Sequence, residues 1–162
     1  MAAIVIADAS PLIALSRVNG IGWLQALFGD VLITSQVLRE VITGRFPDSE
    51  AHLLKALEAG WLKPVEVSEA SPELPDLDEG EASSIRLALL QPGGVLLLID
   101  ERAGRAVAMG LGVQVAGTAA VIGMAQQRGL IPSAKATFAE LHASGFRIAT
   151  EVIQTVLQRC EG

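Results

Sequence analysis

The sequence predicts a three-layer α/β domain built on a five-stranded, mostly parallel sheet, and three observations predict it. Five short β-branched or Leu-rich segments recur along the 162 residues. Helical patterns separate them, as in α/β folds. Two of the segments are apolar throughout and end in Asp: Ala3–Ala7 runs into Asp8, and Val95–Ile99 runs into Asp100. Strands this apolar are buried on both faces, which is the habit of parallel sheets.

The other strand candidates are Val31–Ile33, Pro64–Val67 and Val113–Ala116. Ser10-Pro11 reads as the start of the first helix, with Ser as N-cap and Pro at the first helical position. Asn19-Gly20 breaks that helix, and a second, Ile21 to Phe28, ends at Gly29. Thr34 or Ser35 caps a helix carrying Val37, Leu38, Val41 and Ile42. The next runs from about Ser49 to Ala59 and stops at Gly60. Asp78 opens a helix through Leu90. Residues 101–109 form one closed by Gly110, and 118–128 one closed by Gly129. Residues 134–143 and 149–159 make two more, the last with a stripe of Val152, Ile153, Val156 and Leu157. Ser68 to Asp78, rich in Pro and acids, reads as a loop.

The length suits a single domain over residues 1–162 with a sizeable core. Apolar residues make up 51% of the chain, which excludes a disordered segment. The lone cysteine, Cys160, cannot pair within the chain and fits a reducing compartment, so a cytoplasmic location is expected. The N-terminus has no basic stretch and does not read as a signal peptide. No apolar run approaches a membrane span. The net charge of −6 argues against a non-specific nucleic-acid binder. The acids are uneven, however: from Glu66 to Glu81 there are seven carboxylates and no Lys or Arg.

Open parallel sheets bind ligands just past the carboxyl ends of their strands. Asp8 and Asp100 stand there, and gathered carboxylates without bases need a cation or protons between them. Mg²⁺ or Mn²⁺, which prefer oxygen ligands, fit that need. Asp8 reads as a metal ligand, because Ser10-Pro11 already supplies a helix start. Asp100 reads either as a ligand or as the N-cap of the helix after it. At about 100° per residue, Glu40 falls on the shoulder of its helix's apolar stripe and reads from spacing as a solvated side chain. Glu81 lies three residues after Asp78, which suits a capping box. It also shares the buried face with Ile85 and Ala88, so both readings stand. Arg102 and Arg105 follow the Asp100 strand end, where a phosphate would bind, or else form surface ion pairs. His52, His142 and Cys160 lack zinc-site spacing. There is no phosphate-binding GxxxxGK[ST] loop, no dinucleotide fingerprint and no nucleophile elbow.

Taken in order, the motifs resemble a PIN domain of the DUF3368 branch. Val5-Ile6-Ala7-Asp8-Ala9-Ser10-Pro11-Leu12-Ile13 is similar to the family's opening. Leu38-Arg39-Glu40-Val41 falls at its second acid. Asp78 to Ala88 resembles the "GEAxAIxLA" helix, Leu97 to Ala106 the "LLxDDxxAR" segment, and Gly117-Thr118 the "GT" after the fifth strand. The resemblance implies strand order 3-2-1-4-5 and one metal site formed by Asp8, Glu40, Glu81 and Asp100. It implies Mg²⁺- or Mn²⁺-dependent ribonuclease activity, and a link to toxins of toxin–antitoxin pairs of the VapC kind. Such toxins commonly form homodimers and are silenced by a small antitoxin protein. RNA is the implied substrate, Ser10 and Thr118 the residues that steady a water or a carboxylate, and Arg102 and Arg105 the phosphate contacts. The chain departs from many such nucleases at Ala119 and Ala120, where an acid follows the Thr, and at Glu101, where this branch often has Asp. Those departures and the acidic composition favour a second reading, a binding module that keeps the fold without turnover. A phospho-acceptor receiver domain is a third, opposed by the absence of a Lys between the last strand and Lys135.

Overall fold

The computed structural model describes residues 4–68 and 70–161. Ala3, where the first strand begins in the sequence reading, lies outside the described residues. In chain order the elements are β1 (Ile4–Ala7), α1 (Ala9–Arg17), α2 (Ile21–Phe28), β2 (Val31–Thr34), α3 (Ser35–Val41), α4 (Pro47–Ala59) and β3 (Leu62–Val65). Then come α5 (Glu79–Leu89), β4 (Val95–Leu98), α6 (Arg102–Gly110), β5 (Gln114–Ala116), α7 (Thr118–Gln127), α8 (Ala134–Ala143) and α9 (Thr150–Glu161).

The five strands form one parallel sheet in the order β3-β2-β1-β4-β5. Side chains alternate across it. Val5, Ala7, Val31, Ile33 and Leu98 point into the larger core with α1, α2, α4, α7 and α8. Ile6, Leu97 and Ile99 point the other way, against Ile85 and Ala88 of α5 and Ala108 of α6. The central strands β1 and β4 are thus covered on both faces, which is why their sequences show no polar alternation. Each parallel crossover brings its strand back in the same direction, so the strand ends and the helix starts gather along one edge.

Several boundaries differ from the sequence reading, each for a local reason. α1 begins at Ala9 with Asp8 in the N-cap position, so Ser10 is inside the helix and is not its cap. Pro11 then sits in the first turn, where its missing N–H has no partner to lose. Glu101, not Asp100, caps α6, its carboxylate accepting from the Ala103 amide at 3.4 Å. That helix runs through Gly110, and the left-handed turn is made by Gly112 at φ 85°. α4 begins at Pro47, two residues before Ser49, with the proline at the position that favours it. β3 spans Leu62–Val65, not 64–67, because Val31 pairs with Leu62. Pro64 is tolerated there since β3 is an edge strand.

The α9 stripe covers the chain's own core. Val156 packs on Gly123 of α7, where a Cβ would meet its Cγ1 at 2.6 Å, and Ile153 and Leu157 pack beside it. Val152 is left 46% exposed. No helix among the described residues is long and apolar enough to cross a membrane.

Candidate functional site

The four acids come from four elements that end or begin at the same edge of the sheet. Asp8 follows β1, Glu40 lies in the last turn of α3, Glu81 in the first turn of α5, and Asp100 just after β4. Asp8 is 3% exposed, and its N-cap position is not used for capping: no side-chain cap bond forms. The Ser84 hydroxyl, on α5, lies 3.2 Å from its Oδ1 and 2.9 Å from the Gly80 carbonyl, bonding both.

Glu40 is exposed, as its helical position suggests, but its carboxylate leans onto the start of α5. A Cβ at Gly80 would stand 2.5 Å from its Oε1. Gly104 makes similar room for Glu81, whose Oε2 would be 3.0 Å from a Cβ there, and Gly117 makes room for Asp100 Oδ1 at 2.8 Å. Three acids therefore approach backbone that carries no side chain. The helices are held in place by the Thr34 hydroxyl, which caps α3 by accepting from the Val37 amide at 3.0 Å and bonds Ser83 of α5 at 2.8 Å.

Electrostatics ties the acids together. Burial pushes the Asp8 carboxyl up to about 6; the Ala9 amide and Ser84 hydroxyl offset part of this, and the charges of Asp78 and Glu40 add to it. Burial, the hydrogen bond with Asp78, and the charges of Asp78, Asp8 and Glu101 push Glu81 up to about 8. Glu40 is raised by burial and by Asp78, against the bond from Gln36. Asp78 acts on all three. The sequence reading assigned it only a cap, which it also is: its carboxylate accepts from the Glu81 amide at 2.8 Å. Its place in the same acid-rich run as Glu81 is the signal that marked it.

Asp100 is oriented differently. Its Oδ1 accepts from the Thr118 amide at 2.7 Å and its Oδ2 from the Thr118 hydroxyl at 2.6 Å. Thr118 is fully buried and ties the end of β4 to the start of α7. Ser10 lies on the cleft wall near Asp100 and makes no side-chain hydrogen bond among the described residues. Ser84, which does hold Asp8, escaped the sequence reading. Its place three residues after Glu81 puts it on the same helix face, but nothing in the sequence marks Asp8 as its partner.

A cleft of about 820 Å³ borders the acids at Asp100 and Glu101 and does not include Asp8, Glu40 or Glu81. Arg102 and Arg105 line it, and so do Arg147 and Arg159 from the α9 side. Arg105 donates to the Ile99 carbonyl at 3.0 Å, which anchors it at the end of β4. None of the four arginines is ion-paired among the described residues. Arg147 and Arg159 were invisible in sequence, because only the fold of α9 onto α7 brings them beside α6.

The donor set fits a hard divalent cation: carboxylate oxygens only, with raised proton affinities at Asp8, Glu40 and Glu81 and no basic side chain ion-paired to the four acids among the described residues. As arranged, no three described Asp, Glu, His or Cys side chains stand close enough to ligate one ion. Mutual repulsion of ionised carboxylates opposes a closer approach.

The family model for DUF3368, described as a PIN domain, matches residues 4–162. Among solved structures, the chain is similar to a PilT N-terminus domain protein, SSO1118, from the hyperthermophilic archaeon Sulfolobus solfataricus P2. The TM-score is 0.54 at 15% identity, covering 73% of this chain and 89% of that one. At that identity the likeness speaks for the fold. No curated protein sequence matches the chain. With the motifs in order, the strand order 3-2-1-4-5 and a family match over nearly its whole length, the chain belongs to the DUF3368 family of PIN domains.

Proposed function

We propose that the chain is a divalent-metal-dependent ribonuclease, and that it acts as the toxin of a toxin–antitoxin pair of the VapC kind. The chain is a PIN domain, a fold that generally carries nucleases, and that membership supports the reading. The observation that carries the finer reading is the gathering of Asp8, Glu40 and Glu81 at the strand ends, where burial and neighbouring acids raise their proton affinities and no basic side chain is ion-paired to them among the described residues. Shifts of this kind gather where chemistry is done.

Asp8, Glu40, Glu81 and Asp100 would hold Mg²⁺ or Mn²⁺. When bound, the ion would act as a Lewis acid on the phosphodiester and offset the carboxylate charge. Ser84 and Thr118 keep Asp8 and Asp100 in fixed orientations, which limits the reorganisation needed for binding. Arg102 and Arg105 contact the phosphate, and Arg147 and Arg159 continue that contact along the cleft. A small antitoxin and a second copy of the chain are the partners. Leu90, Met109 and Leu111, each more than 40% exposed, support self-association.

Incubation of single-stranded RNA with Mn²⁺, with and without EDTA, tests the activity. Glu81→Gln separates the two roles of that residue: Gln serves a helix cap equally well, so a fold-intact but inactive variant supports the ligand role. An active Glu81→Gln enzyme would return the residue to capping alone. A second reading, a binding module without turnover, is favoured by Ala119 and Ala120 after Thr118 and by the engagement of both Asp100 oxygens with Thr118. RNA bound in Mn²⁺ but never cut would establish it.

A further inference from the structure

A smaller pocket of about 280 Å³ lies between α1, α3 and α4, and it shares no lining residue with the arginine cleft. Glu40 forms part of its wall, and so do Arg17, Arg45 and Phe46. Phe46 is 65% exposed, the most exposed large apolar side chain described. The chain has only six aromatic residues, four Phe and two Trp, so a Phe left in solvent is a conspicuous cost.

The loop bearing it is not loose. Glu50, 6% exposed, takes four hydrogen bonds from the segment: the Thr43 amide at 2.6 Å, the Gly44 amide at 2.8 Å, the Phe46 amide at 2.9 Å and the Thr43 hydroxyl at 3.0 Å. The Glu50 amide in turn donates to the Phe46 carbonyl at 2.9 Å. Gly44, at φ 78°, allows the turn. A buried carboxylate thus fixes the backbone that presents an exposed ring, with two arginines in the wall of the same pocket. Arg17 is itself steadied by the Ser144 carbonyl at 3.3 Å, while Arg45 makes no ion pair among the described residues.

We propose that Phe46 is a stacking platform for one base of a single-stranded RNA whose backbone crosses the acid cluster, with Arg45 contacting an adjoining phosphate. The proposal rests on RNA being the ligand in the function proposed above. A stacking site needs an exposed ring on a fixed backbone beside positive charge, and it accepts any base. A protein partner is the competing occupant. It would need broad exposed apolar area, whereas the apolar wall residues Val41 and Leu53 are buried and Phe46 is the one wall residue among the exposed large apolar side chains, beside Arg17, Arg45 and Glu40.

The test is the anisotropy of a fluorescein-labelled oligoadenylate titrated with the full chain in EDTA, where the metal-dependent cut is blocked. Phe46→Ala and Phe46→Leu should each weaken binding roughly 5- to 100-fold. Phe46→Trp should retain it, and melting temperatures should not move, since the ring is exposed. With an oligonucleotide carrying abasic sites throughout, wild type and Phe46→Leu should bind alike. Wild-type affinity in Phe46→Leu would overturn the proposal. So would an equal loss on the abasic strand, or a variant that binds RNA normally but changes its light-scattering mass, which would make Phe46 a contact between copies. Cleavage with Mn²⁺ is scored separately. A cleaving enzyme with unaltered Phe46→Leu binding sinks only the platform, and Phe46-dependent binding without any cleavage sinks only the ribonuclease reading.

Discussion

Two carboxylates, Asp8 and Glu81, set the pH behaviour of the site. Folded, Asp8 holds its proton up to about pH 6, whereas an unperturbed Asp releases it near 3.8. Between those values unfolding releases a proton, so the stability of the metal-free protein falls as pH rises through that window. The Asp8 contribution is on the order of 3 kcal/mol. Glu81 extends the fall toward pH 8. Asp8→Asn removes both the ionisable group and one ligand. Metal-free melting temperature at pH 7 should therefore hold or rise, while Mn²⁺ affinity by calorimetric titration drops. Equal Mn²⁺ affinity in wild type and variant would remove Asp8 from the metal set. Because protons compete with the ion, wild-type affinity should also climb between about pH 5 and 8. The buried place of Asp8 at the end of β1 was legible in sequence, because the strand before it is apolar throughout. Ser84, its partner, was not, since a serine within a helix carries no mark of what lies across from it.

Between elements, the approach of α3 to α5 decides whether Glu40 belongs to the site. Spacing left Glu40 on the shoulder of its helix. The contact that draws it in depends on Gly80, 40 positions away, having no side chain. Gly80→Ala should be neutral or stabilising by up to about 1 kcal/mol, because Ala is the better helix former. The displaced atoms are the end of a flexible side chain, so the fold can absorb them. Mn²⁺ affinity should nonetheless fall roughly tenfold or more, an effect of the size seen when groups supporting metal ligands are removed. Unchanged affinity would show that the Glu40 carboxylate acts elsewhere. The same scale explains the misplaced caps. Ser10 and Asp100 are good cap residues, yet the strand ends carry the chain one residue differently, leaving capping of α6 to Glu101 and freeing Asp100 for Thr118.

At the scale of the molecule, a net charge of −6 conceals a cleft with four arginines free of ion pairs among the described residues. If RNA phosphates lie in it, binding must weaken as salt rises. Arg147→Ala and Arg159→Ala should each flatten the slope of log K against log salt by about 0.7, the single-strand value per phosphate contact. A slope that stays at the wild-type value would take α9 out of the RNA path. Self-association is decided at this scale too. The α9 stripe is largely spent on α7, so a homodimer must use other surfaces, such as the exposed Leu90, Met109 and Leu111. Light scattering across micromolar concentrations should give twice the 16.9 kDa chain mass. A monomer mass throughout would reject the dimer without touching the metal site.

By itself the sequence determined the strands, the helices between them, the parallel sheet and the two strand-end aspartates. Those rest on local periodicity and on burial patterns that a linear chain displays directly. Only the tertiary structure decided that Asp78 shares the field of Asp8, Glu40 and Glu81. The same holds for the glycines that give three of the acids their room, and for Glu50 locking the loop beneath Phe46. The arginine-lined cleft, too, forms only when α9 returns beside α6. Each of these is a meeting of residues from separate segments, and the energies involved, charge repulsion, steric room and buried hydrogen bonds, depend on distances that spacing along the chain does not encode.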